Sequence, residues 1–368
     1  MTGSSFTTED RQHMARAIRL ARNGAFTADP NPIVGCVIVN NGSVVGEGWH
    51  AIAGQAHAEV NALNAAGDQA KGATAYVTLE PCCYVGRTGA CTEALHKAGV
   101  AKVVYASGDP NPLVSGKGAE WLREQGIDVQ CGLLEAEAEE LNAGFRSRMQ
   151  RGRPFVRSKI ATSLDGYTAL ANGESQWISG EAARADVQRL RAASSAIVTG
   201  VATVLADDPS MNVRGESLGP VKQPLRVVLD TNLRMPAEAK MLAIPGDVLI
   251  VTAADEPEKQ AALEAAGARV MQVQACDQGF VQLEALMSLL AQFDINDVLV
   301  EAGAELNGSL LQKGLIDELI VYQTAHAFGS GAQPMFAMPE LQSMQDRQTL
   351  SLTDVRKVGD DLRLTYKV

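Results

Sequence analysis

The stretch HAEVNALNAAGDQAKGATAYVTLEPCCYVGRTGAC, residues 57 to 91, decides how the first half of this chain is read. His57-Ala58-Glu59 opens a helical run to about Ala66, Ala75 to Thr78 forms a short strand, Pro81-Cys82-Cys83 follows it, and Cys91 starts a helix to about Ala98. One histidine and two cysteines therefore sit where elements begin and end. An imidazole and two thiolates give a zinc ion three ligands of modest net charge and leave a fourth position for water. Helix N-termini add to this, because the positive end of the dipole favours thiolate over thiol. We assign His57, Cys82 and Cys91 as metal ligands. Glu59, two residues beyond His57, is placed to reach the water rather than the metal and to carry protons. A closed structural site would need Cys83 as a fourth ligand, and adjacent cysteines point in different directions. Cys36, Cys131 and Cys276 read as small core hydrophobes.

Working outward, Met14, Ala17, Ile18 and Ala21 recur at helical spacing behind a cap at Thr7 with Asp10 three residues on. Ile33 to Val39 and Ser43 to Val45 flank Asn40-Asn41-Gly42, an Asn-Gly hairpin. Strands at 101–106 and 127–131 and a helix near 119–125 complete an alternating α/β layer. Glu135 to Gln150 is helical in composition and runs into Arg151-Gly152-Arg153-Pro154, so the first domain is set at 1–150 and the second at 151–368. In the second, strands are expected at 155–161, 196–199, 225–229, 248–251, 298–301 and 319–323. Helices are expected near 181–192, 257–267, 281–292 and 305–313. Asp-Pro-Asn-Pro occurs at 29–32 and 109–112 with different flanks, which makes two turns and no repeat.

The 368 residues are 46% hydrophobic, enough for two cores. Lys and Arg number 32 against 43 Asp and Glu, a net charge of −11 that repels a phosphate backbone and disfavours a nucleic-acid partner. The start lacks a basic segment with an apolar run, and no stretch approaches the roughly 18 apolar residues of a membrane helix. We expect no membrane partner and a cytoplasmic location.

His-x-Glu followed by a Pro-Cys pair and a second cysteine is the signature of zinc deaminases acting on nucleobases, with the second cysteine farther off here than in the usual spacing. A lone His-x-Glu falls on solvated helix faces all the time; the combination carries the inference. Around it, Pro30-Asn31-Pro32-Ile33-Val34-Gly35-Cys36-Val37, Thr78-Leu79-Glu80-Pro81-Cys82, Gly86-Arg87-Thr88 and Asp109-Pro110-Asn111-Pro112 resemble the deaminase half of the bacterial bifunctional riboflavin biosynthesis family RibD. Lys159 to Gly166, Gly173 to Ile178, Thr203 to Pro209 and Val300 to Gly303 resemble its reductase half. The likeness spans nearly the whole chain and is weakest from about 231 to 295. Where the family often has Ser-His-His after the first zinc cysteine, this chain has Cys83-Tyr84-Val85, so no substrate role of those histidines carries over.

The resemblance implies an α/β chain with an N-terminal cytidine-deaminase-like three-layer domain and a C-terminal dihydrofolate-reductase-like domain, using zinc and NADPH. The substrate implied is a small pyrimidine ribosyl phosphate: its ring 2-amino group is hydrolysed, and its ribosyl group is then reduced to ribityl. A homo-oligomer is implied as well. Asn31, held between two prolines, becomes a substrate contact, though a turn asparagine is the plainer reading. His50 and Arg87 are candidate phosphate contacts, since an anionic substrate entering an acidic protein needs a local positive centre. By the same resemblance Ala161, Trp177, Thr203, Asp207, Thr231, Gly303, Ala304, Glu305, Leu306, Asn307, Gly308 and Ser309 contact NADPH. Ser175, Met211, Arg214 and Glu301 contact substrate, and Lys159 and Asp207 position the ribose.

Independently of the resemblance, no Gly-x-Gly-x-x-Gly follows a strand in the second half, which removes ordinary dinucleotide-fold dehydrogenases. The alternative site is Glu301-Ala302-Gly303, which ends an apolar strand and opens a helix whose amides can cradle a pyrophosphate. Two other functions compete: a nucleoside or transfer-RNA adenosine deaminase with an unrelated C-terminal domain, and a zinc-stabilised binding module without catalysis. The acidic balance opposes the RNA version, the second half opposes both deaminases, and Glu59 opposes the inert module.

Overall fold

The computed structural model describes residues 6–83, 89–112 and 114–368, and residue 216 by its backbone alone. The chain divides into two compact units, Met1–Gly152 and Arg153–Val368.

Unit 1 runs α1 (Thr8–Ala21), β1 (Gly35–Asn40), β2 (Ser43–Trp49), α2 (Ala58–Ala66), β3 (Thr74–Leu79), α3 (Cys91–Lys97), β4 (Lys102–Ser107), α4 (Lys117–Glu124), β5 (Asp128–Cys131), α5 (Glu135–Leu141) and α6 (Ala143–Arg151). Thr7 and Asp10 cap α1 reciprocally, the Asp10 amide donating to the Thr7 hydroxyl and the Thr7 amide to the Asp10 carboxylate. Asn41 and Gly42, at φ 49° and 76°, close the β1–β2 hairpin with the backbone hand such a turn needs. The strands lie in the order β2-β1-β3-β4-β5; β1 is antiparallel to its neighbours, and β3, β4 and β5 are parallel.

Because side chains alternate across a strand, the sheet buries two faces. Ala58, Ala62, Leu95 and Leu122 from α2, α3 and α4 cover Cys36, Ile38, Val77 and Val103. Met14, Ala17, Ile18 and Ala138 from α1 and α5 cover Val37, Val39, Tyr76 and Val104. The result is three layers. Helix α2 lies so near β2 that a Cβ on Gly48 would come within 2.4 Å of the Ala62 amide nitrogen, so the helix seats on the strand only where glycine stands.

The single helix expected over 135–150 is two. Asn142 breaks it at φ −120° because its side chain is engaged elsewhere: Oδ1 accepts from the Ile33 amide at 2.8 Å and Nδ2 donates to the Ile33 carbonyl at 2.9 Å.

Unit 2 runs β6 (Phe155–Thr162), β7 (Tyr167–Ala169), α7 (Glu181–Ala192), β8 (Ala196–Gly200), α8 (Val201–Asp207), β9 (Leu225–Leu229), β10 (Val248–Thr252), α9 (Pro257–Ala265), β11 (Arg269–Gln272), α10 (Leu283–Gln292), β12 (Asp297–Val300), α11 (Ala304–Gln312), β13 (Glu318–Gln323), β14 (Gln333–Pro334), β15 (Ser351–Val358) and β16 (Asp361–Lys367). Nine strands form one sheet in the order β11-β10-β9-β8-β12-β6-β13-β16-β15. Its first seven members are parallel, and β16 and β15 close it antiparallel. Strands β8, β10 and β12 are largely apolar on both faces, as a doubly covered sheet requires, while β6 carries Arg157, Ser158 and Lys159. Val198, Val227 and Val300 pack against α10 and α11, while Ile197, Val228 and Ile250 pack with residues of α8 and α9.

One polar group lies deep in this unit. Arg226, at the start of β9, is fully buried, and its guanidinium donates to the carbonyls of Met241, Ile244, Pro245 and Gly246, holding the loop before β10 against the strand. Among the described residues no helix is long and apolar enough to cross a membrane.

Candidate active sites

In unit 1 the metal-type donors converge. His57 is the N-cap of α2 and Cys91 the first residue of α3. The His57 Nδ1 lies 3.2 Å from the Cys91 Sγ and 3.6 Å from the Cys82 Sγ, and all three donor atoms lie within 4.8 Å of one another. Ligand bonds of ordinary zinc length at a tetrahedral angle separate N from S by roughly 3.6 Å, so the donor set fits zinc. The Cys91 amide donates to the Cys82 Sγ at 3.4 Å, and the Thr92 amide to the Cys82 carbonyl at 3.1 Å, so the start of α3 holds the strand-end cysteine. Among the described residues no fourth donor joins the three, and Cys83 stands apart from them. Hydrogen bonding from Cys91 holds the Cys82 thiol well below the usual thiol range, with the His57 imidazole adding to the effect.

Glu59, on the first turn of α2, is 4% exposed. Burial, reinforced by the charge at Cys82, pushes its carboxyl up to about 7. A buried carboxyl beside a three-donor centre is suited to exchanging protons near neutral pH.

His50 lies elsewhere in function than the sequence suggests. It is 2% exposed, its Nδ1 is 3.2 Å from the Ala56 carbonyl and its Nε2 is 3.1 Å from the Asn31 Nδ2. The first contact requires Nδ1 to donate and the second requires Nε2 to accept, so the ring is neutral; burial lowers its pKa further. It offers no positive centre for a phosphate. Instead it orients Asn31 and packs edge-on against the His57 ring at 5.2 Å. Arg87, the other candidate phosphate contact, lies outside the described residues.

Sequence reading missed the role of Glu80. Its carboxylate accepts from the Gly116 amide at 3.0 Å and the Ala119 amide at 3.1 Å, tying the start of α4 to the strand end that delivers Cys82. An acid between an apolar strand and Pro-Cys was the available signal.

In unit 2 the strand order reverses direction between β8 and β12: from β8 the chain winds toward β11, and from β12 toward β13. Ligands of open parallel sheets bind at such a reversal, beyond the C-terminal ends of the strands. Two helices start there, α8 capped by Gly200 and α11 capped by Gly303, neither with a side chain on its first-turn amides. A Cβ on Gly303 would meet nothing within 4 Å, so the approach to the α11 amides is open. These amides, of Ala304, Glu305 and Leu306, suit a pyrophosphate and make the edge fit NADPH. Within the 303–309 run the other members do different work. The Asn307 amide group is engaged by the Ser158 hydroxyl at 2.7 Å and the Ala302 carbonyl at 2.8 Å, and a Cβ on Gly308 would strike the Ala337 carbonyl oxygen at 2.1 Å. Ser309 lies in the second turn of α11. Thr203 is on the first turn of α8, and Thr231 lies two residues beyond β9. Asp207 closes α8, about 9 Å of helix beyond Val201.

Glu301 follows β12 and is gripped by Arg191 of α7 at 2.6 and 2.9 Å. Arg191 also donates to the Asn212 carbonyl at 3.0 Å, next to Met211, which is buried at φ 47°. Burial alone would raise the Glu301 carboxyl, but Arg191, aided by Lys159, outweighs it and the pKa falls. Burial pulls the Lys159 ammonium below the usual lysine range, against the opposing pull of Glu301. Lys159, Glu301, Arg191 and the more exposed Arg214 thus form a cluster richer in cations than anions, at the strand end beside the α11 cap. Arg191 was not recognisable from sequence, since an arginine on a helix gives no hint of its partner. Ala161 lies two residues beyond Lys159 on the same face of β6. Trp177 is 71% exposed with the Arg184 guanidinium 4.7 Å from its ring centroid, which leaves its other face open; Ser175 precedes it by two residues.

Two family models match this chain: residues 154–364 match the RibD C-terminal domain, and residues 7–107 match the cytidine and deoxycytidylate deaminase zinc-binding region. The chain belongs to the RibD family. It is 45% identical to the riboflavin biosynthesis protein RibD of Escherichia coli (strain K12), over 97% of this chain and 98% of that one. Its fold matches Acinetobacter baumannii RibD with a TM-score of 0.90 at 46% identity, covering 98% of each chain. A diaminohydroxyphosphoribosylaminopyrimidine deaminase/5-amino-6-(5-phosphoribosylamino)uracil reductase from Thermotoga maritima matches with a TM-score of 0.85 at 30% identity, again over 98% of each. The fold class expected from the resemblance, a cytidine-deaminase-like unit followed by a RibD reductase unit, is the one observed. Zinc and NADPH are the cofactors of this RibD family member.

Proposed function

We propose that the two units, divided near residue 150, perform consecutive steps on one small molecule. The chain is a bifunctional enzyme of riboflavin biosynthesis, a zinc-dependent hydrolase and an NADPH-dependent oxidoreductase. The first step hydrolyses the 2-amino group of 2,5-diamino-6-ribosylamino-4(3H)-pyrimidinone 5′-phosphate. The second reduces the ribosyl group to give 5-amino-6-ribitylamino-uracil 5′-phosphate. The observation that supports this best is the convergence of His57, Cys82 and Cys91 beside the buried Glu59 carboxyl.

Zinc, when bound, supplies the Lewis acidity that makes water nucleophilic at neutral pH. His57, Cys82 and Cys91 hold it. Glu59 takes a proton from the attacking water on a carboxylate oxygen and returns it to a ring nitrogen; it then takes the second proton from the added hydroxyl and gives it to the amine, which departs as ammonia. His50 orients the Asn31 amide toward the pyrimidine. In the second unit the α11 amides bind the pyrophosphate of NADPH, the hydride donor, and Trp177 offers its open face to a planar ring. Lys159, Arg191 and Arg214 bind the anionic sugar phosphate, with Glu301 taking a sugar hydroxyl. We further read the chain as a cytoplasmic homo-oligomer. The edge strand β15 exposes Leu352 and Val355, an apolar surface that supports self-association and that sedimentation velocity tests directly.

The test follows NADPH absorbance with the diaminopyrimidine substrate, before and after zinc is stripped with a chelator. Oxidation of NADPH is expected to require zinc with this substrate and to proceed without it when the deaminated compound is supplied. Ammonia release with NADPH never consumed, from either compound, would overturn the assignment of the second unit.

A further inference from the structure

Among the described residues, the segments that leave the C-terminal ends of β9, β10 and β11 carry two cations, Arg234 near the strand end and Lys240 farther along the same connection. The loop 230–239 after β9 contains Arg234; the loops 253–256 and 273–282 contain none, and the first of these ends in Asp255-Glu256. Arg234 is well exposed, its side chain at 55%, and its Nε lies 4.0 Å from the Asp230 Oδ1. Asp230 beneath it is fully buried; its Oδ2 accepts from the Met235 amide at 2.7 Å, and its Oδ1 has no hydrogen-bond partner. The carboxylate therefore lies under the loop, near enough to hold the guanidinium over the strand end and too far to occupy its donors. Asp230 itself is too deeply buried to touch a ribose.

We infer that Arg234 binds the 2′-phosphate of NADPH and so selects NADPH over NADH. This rests on the reading of unit 2 as the NADPH-binding unit. With the pyrophosphate at the α11 amides, the nicotinamide end must lie toward β6, where Lys159 and Glu301 hold the sugar to be reduced. The adenosine then runs the opposite way along the strand ends, over β8 to β9, two strand spacings or roughly 10 Å from β12. Thr231 and Arg234 stand there. A phosphate dianion in that position faces Asp230, Asp255 and a chain of net charge −11, and needs a local cation to remain bound. Arginine, with a planar fork of donors, is the side chain matched to phosphate, and an arginine near the adenosine ribose is the general means by which dinucleotide sites accommodate the 2′-phosphate.

The test is a calorimetric titration of the full chain with 2′,5′-ADP and with 5′-ADP. The wild-type protein is expected to bind 2′,5′-ADP about 10–100-fold more tightly than 5′-ADP, the worth of one charge-assisted contact. Arg234→Gln should bind both at the wild-type 5′-ADP affinity, Arg234→Lys should recover part of the preference, and KM should rise for NADPH and stay level for NADH. Melting curves of the same samples separate loss of the contact from loss of the fold. If Arg234→Gln keeps the preference, or weakens both probes alike, the assignment is wrong. If the wild-type protein binds neither probe, the nucleotide reading of unit 2 fails with it.

Discussion

Exchanging Glu59 for Gln is expected to reduce ammonia release by about 10³-fold while leaving the bound zinc and the melting temperature close to wild type. The substitution keeps the shape of a side chain that is 4% exposed and packed on the first turn of α2, so the three ligands beside it keep their places. What disappears is the ability to accept and return a proton, because an amide neither takes one from water nor gives one to a leaving amine. The reductase step should be untouched when the deaminated compound is supplied directly. Zinc content by atomic absorption and ammonia by a coupled assay would settle it. Loss of zinc together with activity would mean that Glu59 supports the centre instead of exchanging protons, and retained ammonia release would remove it from the mechanism.

The second large effect is on stability. Arg226→Met should destabilise unit 2 by about 3–4 kcal/mol, because the carbonyls of Met241, Ile244, Pro245 and Gly246 lose their shared donor, the first of them in the fully buried interior. For a unit of this size that corresponds to a fall of roughly 10 °C in its calorimetric transition. Arg226→Lys should recover only a fraction, since an ammonium has three donors and a different reach. A change below about 1 kcal/mol for the methionine variant would show that the loop reorganises to satisfy its own carbonyls.

Much of this was legible beforehand because the decisive signals are local. The ligand motif, the Thr7 cap, the Asn-Gly hairpin and the apolar strands of the parallel sheet each depend on residues close in sequence. The misses depend on distant residues or on short, exposed elements, and Cys131 and Cys276, expected in the core, are exposed and half-buried. Residues 135–150 look like one helix until Asn142 is seen to serve Ile33. The β15–β16 hairpin escaped because it lies at the edge of the sheet, where both faces of β15 meet solvent and charged residues interrupt the alternation. Helix α8 has seven residues and no side-chain cap, and β11 has four, half of them exposed. In the sites, His50 looked like a cation because a sequence shows a titratable ring and not the carbonyl and amide that fix its tautomer. Arg191 stayed hidden because its partner, Glu301, is 110 residues away.

The Asn142 bracket has a further consequence, for how the protein is made. Ile33, which it clasps, is two residues from Asn31, yet 109 residues separate the two ends of the clasp. At ordinary rates of synthesis the ribosome needs about 5–20 s to supply that much chain. During that interval the segment carrying Asn31 has been made and its buckle has not. Truncations of the N-terminal unit that stop at residue 107, where the zinc-binding family match ends, would stay in that state permanently. A separable deaminase must extend beyond Asn142.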